Sequence, residues 1–147
     1  MTHRDLVDLE PGEELVAVAR ASFRGAAAVS ARSTVALGSA RMRKRAFAQW
    51  YDAAISSGLP PVPPDMVVAA TDRRVLFGKA TFLGRPPSRY WGAVELTRIA
   101  EVVAVRHGLV TGVAFGFKHG AIVEIEALRG RGLRQLVRAI DERLPRA

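Results

Sequence analysis

The chain has 147 residues, 49% hydrophobic and 24% charged, a composition that predicts one folded domain and excludes a disordered tail. It contains no cysteine, which excludes disulfides, thiolate metal sites and cysteine nucleophiles. The formal net charge is +8, and this basic excess, mostly arginine, favours anionic partners such as lipid head groups, nucleic acids or acidic proteins, although a merely solvated surface explains it equally well.

The first residues, 1–12, predict a polar lead-in rather than a targeting segment. Asp5, Asp8 and Glu10 lie where a secretory signal needs an apolar run, and the pair Pro11-Gly12 forms a turn. No uncharged stretch approaches the ~20 apolar residues of a membrane span. We expect a cytoplasmic protein, with peripheral binding at the inner membrane face as its closest association with a bilayer.

Residues 13–24 alternate as in a half-buried strand. One face carries Leu15, Ala17, Ala19, Ala21 and Phe23, and the other carries Arg20, Ser22 and Arg24. The alanines also permit a helix. The β-branched Val16 and Val18, with Gly25 ending the run, favour the strand.

A helix is predicted over residues 26–57, because apolar residues recur there every three or four positions. They are Val35, Met42, Phe47, Trp50, Tyr51, Ala54 and Ile55. Gly38 is expected to split the helix, with Ser39 capping the second piece, and Gly58 with the following prolines ends it. Residues 60–64 then form a stiff, extended linker.

The rest of the chain predicts six strands and one helix. The strands cover residues 66–70, 74–79, 90–96, 99–106, 110–117 and 121–127. Asp72 is expected to form the first turn through a hydrogen bond to its own backbone, and residues 84–87 to form a loop. Turns at His107-Gly108 and at 118–120 separate the last three strands. In the final helix one stripe is apolar and consists of Leu133, Leu136, Val137, Ile140 and Leu144.

These elements predict an α+β fold, mainly β: a seven-stranded antiparallel half-open barrel or sandwich closed by one C-terminal helix, with a helical insertion after the first strand. Residues 67–76, Val-Val-Ala-Ala-Thr-Asp-Arg-Arg-Val-Leu, resemble the strand, Thr-Asp-Arg turn and strand of the bacterial pleckstrin-homology-like domains, which are related to GRAM-type modules. The later meander and the closing helix resemble the same family. The resemblance implies one such domain over residues 1–147, interrupted by the insertion at about 26–64, and a non-catalytic binding module.

Catalytic and metal-binding signatures are not found in the sequence. His3, His107 and His119 do not have the spacing that places two imidazoles on one helix face, and the last two fall at predicted turns. Glu124 and Glu126 share a strand face that we expect to be solvated rather than to perform acid-base chemistry. We therefore predict no enzyme activity, no cofactor and no metal.

The strongest functional signal is a basic run next to aromatic residues in the predicted insertion. It consists of Arg41, Arg43, Lys44 and Arg45, followed by Trp50 and Tyr51. Such a helix suits an anionic membrane, where basic side chains meet head groups and rings lie at the interface. In pleckstrin-homology domains the head-group site lies around the connection between the first two strands, which the insertion occupies, although residues 66–70 carry none of the basic residues of lipid-binding members. The alternative is that the aromatics pack on the sheet or on a second subunit.

Secondary anion candidates lie at two other places. They are Arg73 and Arg74 at the first hairpin, and Arg129, Arg131 and Arg134 at the start of the last helix, where free backbone N–H groups also suit a phosphate. The alternatives are charge that a hairpin turn exposes in any case and, at the helix start, a plain turn with a helix cap. The leading hypothesis is an adaptor that engages a protein partner or an anionic membrane surface, with homo-oligomerisation through the insertion as an option. A nucleic-acid-binding module using the same basic helix is the alternative, and a small-ligand or enzyme role ranks last.

Overall fold

The computed structural model describes residues 9–23, 36–59, 65–80, 92–128 and 130–145. Within them, the side chains of residues 36–40, 42, 43 and 107 are not described. The predicted linker at 60–64, the loop at 84–87 and the beginning of the predicted insertion lie outside the described residues.

Seven strands form one antiparallel sheet. They are β1 (Leu15–Phe23), β2 (Asp65–Thr71), β3 (Arg74–Lys79), β4 (Gly92–Glu95), β5 (Ile99–His107), β6 (Val110–Phe117) and β7 (Ile122–Leu128). Their order in the sheet is β4-β3-β2-β1-β7-β6-β5, so β4 and β5 are its open edges, and a short 3-10 helix, Leu96–Arg98, connects them. The predicted seven-stranded, half-open antiparallel fold is confirmed.

Two helices complete the described fold, α1 (Ala36–Ser56) after β1 and α2 (Arg131–Asp141) at the C-terminus. The predicted break at Gly38 is wrong, because α1 runs through that position without interruption. Its end is as predicted: Gly58 has φ +88°, a left-handed conformation that glycine adopts without strain, and its N–H donates to the Ile55 carbonyl. α1 is therefore one helix with one defined C-terminus.

The core lies between the inner face of the sheet and the two helices. Every second residue of β6, and of β1 from Ala19 onwards, is buried, as the alternation predicts, with Phe23, Phe115 and Phe117 at 3% exposure or less. Residues 15–18 of β1 are all half-buried. α2 contributes Leu133, Leu136 and Ile140 to the same cluster, close to the predicted stripe. The helices thus cover one face of the curved sheet.

The outer face of β2 is covered as well. Val67, Ala69 and Leu76 form a second, smaller cluster against which Leu9 and Leu15 pack. The N-terminal segment was predicted to be polar, but its described part, which begins at Leu9, packs against the sheet through this leucine. Burial on both faces also explains why β2 is a continuous apolar run rather than an alternating one.

Several sequence-based details need correction. β2 is longer than predicted by a residue at each end, β5 includes His107, and the following turn is formed by Gly108, with φ +61°, and Leu109. The prediction that Glu126 lies on a solvated face is wrong, because this residue is only 8% exposed. Its neighbours across the sheet are Ser22 in β1 and Gly112 in β6, so strands on both sides cover its position.

Candidate functional site

The exposed face of α1 carries most of the predicted basic run. Arg41, Lys44 and Arg45 are all exposed, while the side chain of Arg43 lies outside the described set. Positions three and four apart on a helix are neighbours, so these three form one patch. No described acidic residue forms an ion pair with them, and the only carboxylate in α1 is Asp52, about two turns away. Among the described residues, none neutralises the positive charge that the patch presents to solvent.

The two aromatic residues of the predicted site pack against the core. Trp50 is 8% exposed, and its indole N–H donates a hydrogen bond of 2.6 Å to the backbone carbonyl of Glu124 in β7. Tyr51 is half-buried and packs against the core. The rings are thus not placed at a membrane interface or available for stacking on bases. Their placement agrees with the alternative prediction, in which the aromatic residues pack on the sheet.

An aromatic cluster fixes α1 on the sheet. The ring centroid of Phe47 lies 5.4 Å from that of Phe23, 6.0 Å from that of Trp50 and 5.5 Å from that of Tyr51. Edge-to-face and offset contacts at such distances add to the energy of apolar burial. On this continuous helix Arg41 and Arg45 lie on the side away from the aromatic cluster, whereas Lys44, one turn before Phe47, lies at its flank. All three side chains stay exposed when the cluster packs on the sheet.

Arg74 is part of a buried ion pair rather than a free anion site. The Glu13 side chain is fully buried, and its carboxylate accepts hydrogen bonds from Arg74 Nε at 2.9 Å and Nη2 at 2.8 Å. The hydroxyl of Thr71 and the N–H of Glu10 also donate to this carboxylate, at 2.7 and 2.9 Å. The hydrogen bond from Arg74 is the main reason why the pKa of Glu13 falls from 4.5 to about 2, against the opposing effect of burial.

The turn between β2 and β3 also differs from the prediction. The Thr71 hydroxyl, not Asp72, organises it, accepting hydrogen bonds from the N–H groups of Arg73 and Arg74 at 3.1 and 3.0 Å. Asp72 instead accepts a 3.0 Å hydrogen bond from the N–H of Glu14. Arg73 remains about half exposed, 3.4 Å from the Glu10 carboxylate, so it keeps only a weak local partner.

The start of α2 places Arg131 and Arg134 in solvent, while Arg129 lies outside the described residues. Beside them is a groove of about 140 Å³, lined by Arg106, Leu109, Thr111, Gly130 and Arg134. Arg106 and Thr111 face each other across β5 and β6, and sequence reasoning missed both. Only the docking of α2 against that hairpin brings them to the predicted arginines.

A second cavity, of about 220 Å³, lies between α1 and β7. Its lining is mostly apolar and comprises Trp50, Ala53, Ala54, Ile122, Val123 and Glu124. The described residues include no cluster of three histidine, aspartate or glutamate side chains that could hold a metal. His119 is exposed, with its ring 5.6 Å from that of Phe117. The side chains that line the cavity between α1 and β7 form no recognisable catalytic group.

In the part of the chain that the structure describes, neither helix combines the length and hydrophobicity needed to cross a membrane. A scan against protein-family models and a search of curated proteins gave no match to this chain.

Proposed function

We propose that the protein is a non-catalytic, pleckstrin-homology-like binding module that docks on an anionic membrane surface through the basic patch of α1. The observation that carries the proposal is the exposure of Arg41, Lys44 and Arg45 on a helix that the aromatic cluster anchors to the sheet. An open antiparallel sheet with a closing C-terminal helix is consistent with such a module. The position of α1, between the first two strands, is where that family binds head groups.

The proposed contact is electrostatic. Each lysine or arginine near an anionic leaflet contributes about 1 kcal/mol, and the attraction decays within a Debye length of ~8 Å at physiological salt. Because Trp50 and Tyr51 are engaged with the sheet, they add no insertion into the acyl region. Binding should therefore be reversible by salt and should require an anionic lipid.

A matched pair of variants tests this proposal. In the first, R41A, K44A and R45A remove the patch; in the second, K79A, R138A and R143A remove the same charge from exposed residues elsewhere. We expect the wild type to sediment with vesicles of phosphatidylcholine and phosphatidylserine at low salt, but not with pure phosphatidylcholine. The patch variant should lose about 100-fold in affinity, since three contacts of about 1 kcal/mol are removed. The second variant should bind more tightly than the first.

Two outcomes would count against this function. If both variants lose affinity equally, net charge rather than α1 drives binding. If no vesicle sediments the wild type while random-sequence DNA or RNA binds with strong salt dependence, the nucleic-acid alternative replaces it. The burial of Trp50 weighs against that alternative, because it removes a base-stacking ring.

A protein partner is the second candidate, supported by the β5 edge. Val103 and Val105 of this edge strand are each 43% exposed, and Leu109 and Leu128 nearby are 67% and 65% exposed. An open strand edge with apolar side chains suits an added strand from another chain. Protection of β5 amides from hydrogen exchange on adding a partner would support it, and protection confined to α1 would not.

A further inference from the structure

The groove between the β5–β6 hairpin and the start of α2 combines features that the basic patch of α1 does not use. Arg106 and Arg134 in its lining are exposed, whereas Thr111 is 3% exposed. Gly130, which precedes α2, completes the wall. Two guanidinium groups, one buried hydroxyl and a helix start therefore border the same space of about 140 Å³.

The start of α2 has positive charge where helices usually have negative charge. Gly130 has no side chain to cap the helix, and the first turn contains no acidic residue but does contain Arg131 and Arg134. The N–H of Arg134 donates to the Gly130 carbonyl at 2.9 Å. The preceding amides in the helix, those of residues 131–133, have no acceptor within it. The positive end of the helix dipole and the nearby arginines thus reinforce each other, an arrangement that an anion would relieve.

The hydroxyl of Thr111 independently indicates a ligand. Its side chain is buried, yet within the described parts of the molecule no group forms a hydrogen bond with its Oγ1. It lies directly against the helix start: a Cβ on residue 130 would be 2.8 Å from this oxygen. Buried polar groups in native proteins almost always have a partner. A ligand oxygen in the groove would provide one.

We propose that this groove binds a phosphate group. The phosphate oxygens would share the hydrogen bonds donated by the free amides at the start of α2, as at other helix N-termini, and by the Thr111 hydroxyl that lines the groove. The guanidinium groups of Arg106 and Arg134 supply charge-assisted, planar donors from two sides. The chemistry fits inorganic phosphate or a phosphate monoester, either soluble or as a lipid head group.

Titration of the full chain with inorganic phosphate at constant ionic strength, followed by NMR of the backbone amides, tests the site. We expect saturable shifts at residues 131–133. R106Q and R134Q should each weaken binding about tenfold through loss of a charge-assisted hydrogen bond, whereas R138Q, an exposed arginine one turn further along α2, should leave it unchanged. The proposal is overturned if these amides show no saturable shift, or if R138Q weakens binding as much as R134Q.

The variant T111V separates a binding role from a structural one. Valine keeps the shape and removes a hydroxyl that has no hydrogen bond inside the described fold. We expect a melting temperature at least as high as that of the wild type, together with weaker phosphate binding. Unchanged phosphate affinity in T111V would contradict the assignment of the hydroxyl to the ligand.

Vesicles distinguish the source of the phosphate. Phosphatidic acid carries a phosphate monoester, and phosphatidylserine at matched charge does not. Preference for phosphatidic acid that disappears in R134Q and T111V assigns a lipid head group; phosphate shifts without this preference assign a soluble ligand. The R41A/K44A/R45A variant should keep its phosphate shifts, so failure of the membrane function and failure of this site can be told apart.

Discussion

Glu13 and Arg74 are 61 positions apart in the chain and share two hydrogen bonds in the folded protein. Their pairing joins the segment before β1 to the start of β3, and Thr71 completes the network. A carboxylate that accepts four hydrogen bonds in a buried site is stabilised in its charged form. The same pairing commits Arg74 to structure, which leaves Arg73 as the exposed arginine of this hairpin.

Stability should depend on acid through Glu13. Its pKa is about 2 in the folded protein against 4.5 ordinarily, so below about pH 4.5 the unfolded chain binds the proton more readily. The contribution is present above pH 4.5, is lost as pH falls towards 2, and amounts to roughly 3 kcal/mol. Urea unfolding of wild type and E13Q should give a difference of about this size at pH 7 that closes between pH 4.5 and 2.

The control for this prediction is E10Q. The Glu10 side chain is 57% exposed and touches Arg73 only at 3.4 Å, so its removal should change stability by less than about 1 kcal/mol. A difference between wild type and E13Q that stays constant from pH 7 to pH 2 would contradict the assigned cause.

The helix α1 combines residues that pack on the sheet with basic residues that stay exposed. Phe47, Trp50, Tyr51 and Ala54 repeat at helical spacing and pack inward, which leaves the basic residues outside. Burying large rings removes much apolar area from water, and the indole N–H still finds an acceptor in Glu124. Burying a charged lysine or arginine side chain costs free energy, whereas burying an aromatic ring is favourable. This difference determines which face of α1 packs on the sheet.

Changes at Trp50 should loosen α1 selectively. W50A removes a buried ring and a hydrogen bond, and we expect a loss of about 3–5 kcal/mol, against about 1–2 kcal/mol for W50F. Hydrogen exchange should accelerate in α1 more than in α2. The neighbouring exposed Gln49 is the control, and a Q49A variant as destabilised as W50A would show that this face of α1 is not anchored as described.

The helix α2 packs on the open sheet at very close range. Gly130 leaves no space for a side chain, because a Cβ there would lie 2.4 Å from the Cβ of Thr111. Gly132 faces β1 with more room, since a Cβ would meet that of Ala19 at 3.5 Å, an ordinary contact. The two glycines therefore have different roles despite their similar sequence context.

Alanine at these two positions should have opposite effects. G130A should destabilise the protein by about 1–3 kcal/mol through overpacking against β6. G132A should be neutral or stabilise it by up to about 1 kcal/mol, because alanine is the better helix former. Thermal unfolding of both variants measures this. Equal effects would mean that the close approach at Gly130 does not limit the docking of α2.

The order and kind of most elements can be predicted from the chain alone, because the signals for them are local. Alternation in residues 110–117 and helical spacing in residues 133–144 follow from the periods of the two backbones. Gly58 and Gly120 mark ends and turns through their own backbone freedom, with φ +88° and +96°. These features need no distant partner, so they could be predicted from the chain alone.

Which side chains are exposed and which are buried depends instead on how the elements pack together. Trp50 is buried because β7 offers an acceptor and an apolar surface 74 positions away, and Glu126 is buried between neighbouring strands. Arg106 and Thr111 meet Arg134 only because α2 docks on their hairpin. Burial and ion pairing are set by contacts between residues far apart in the chain, and no local period encodes them.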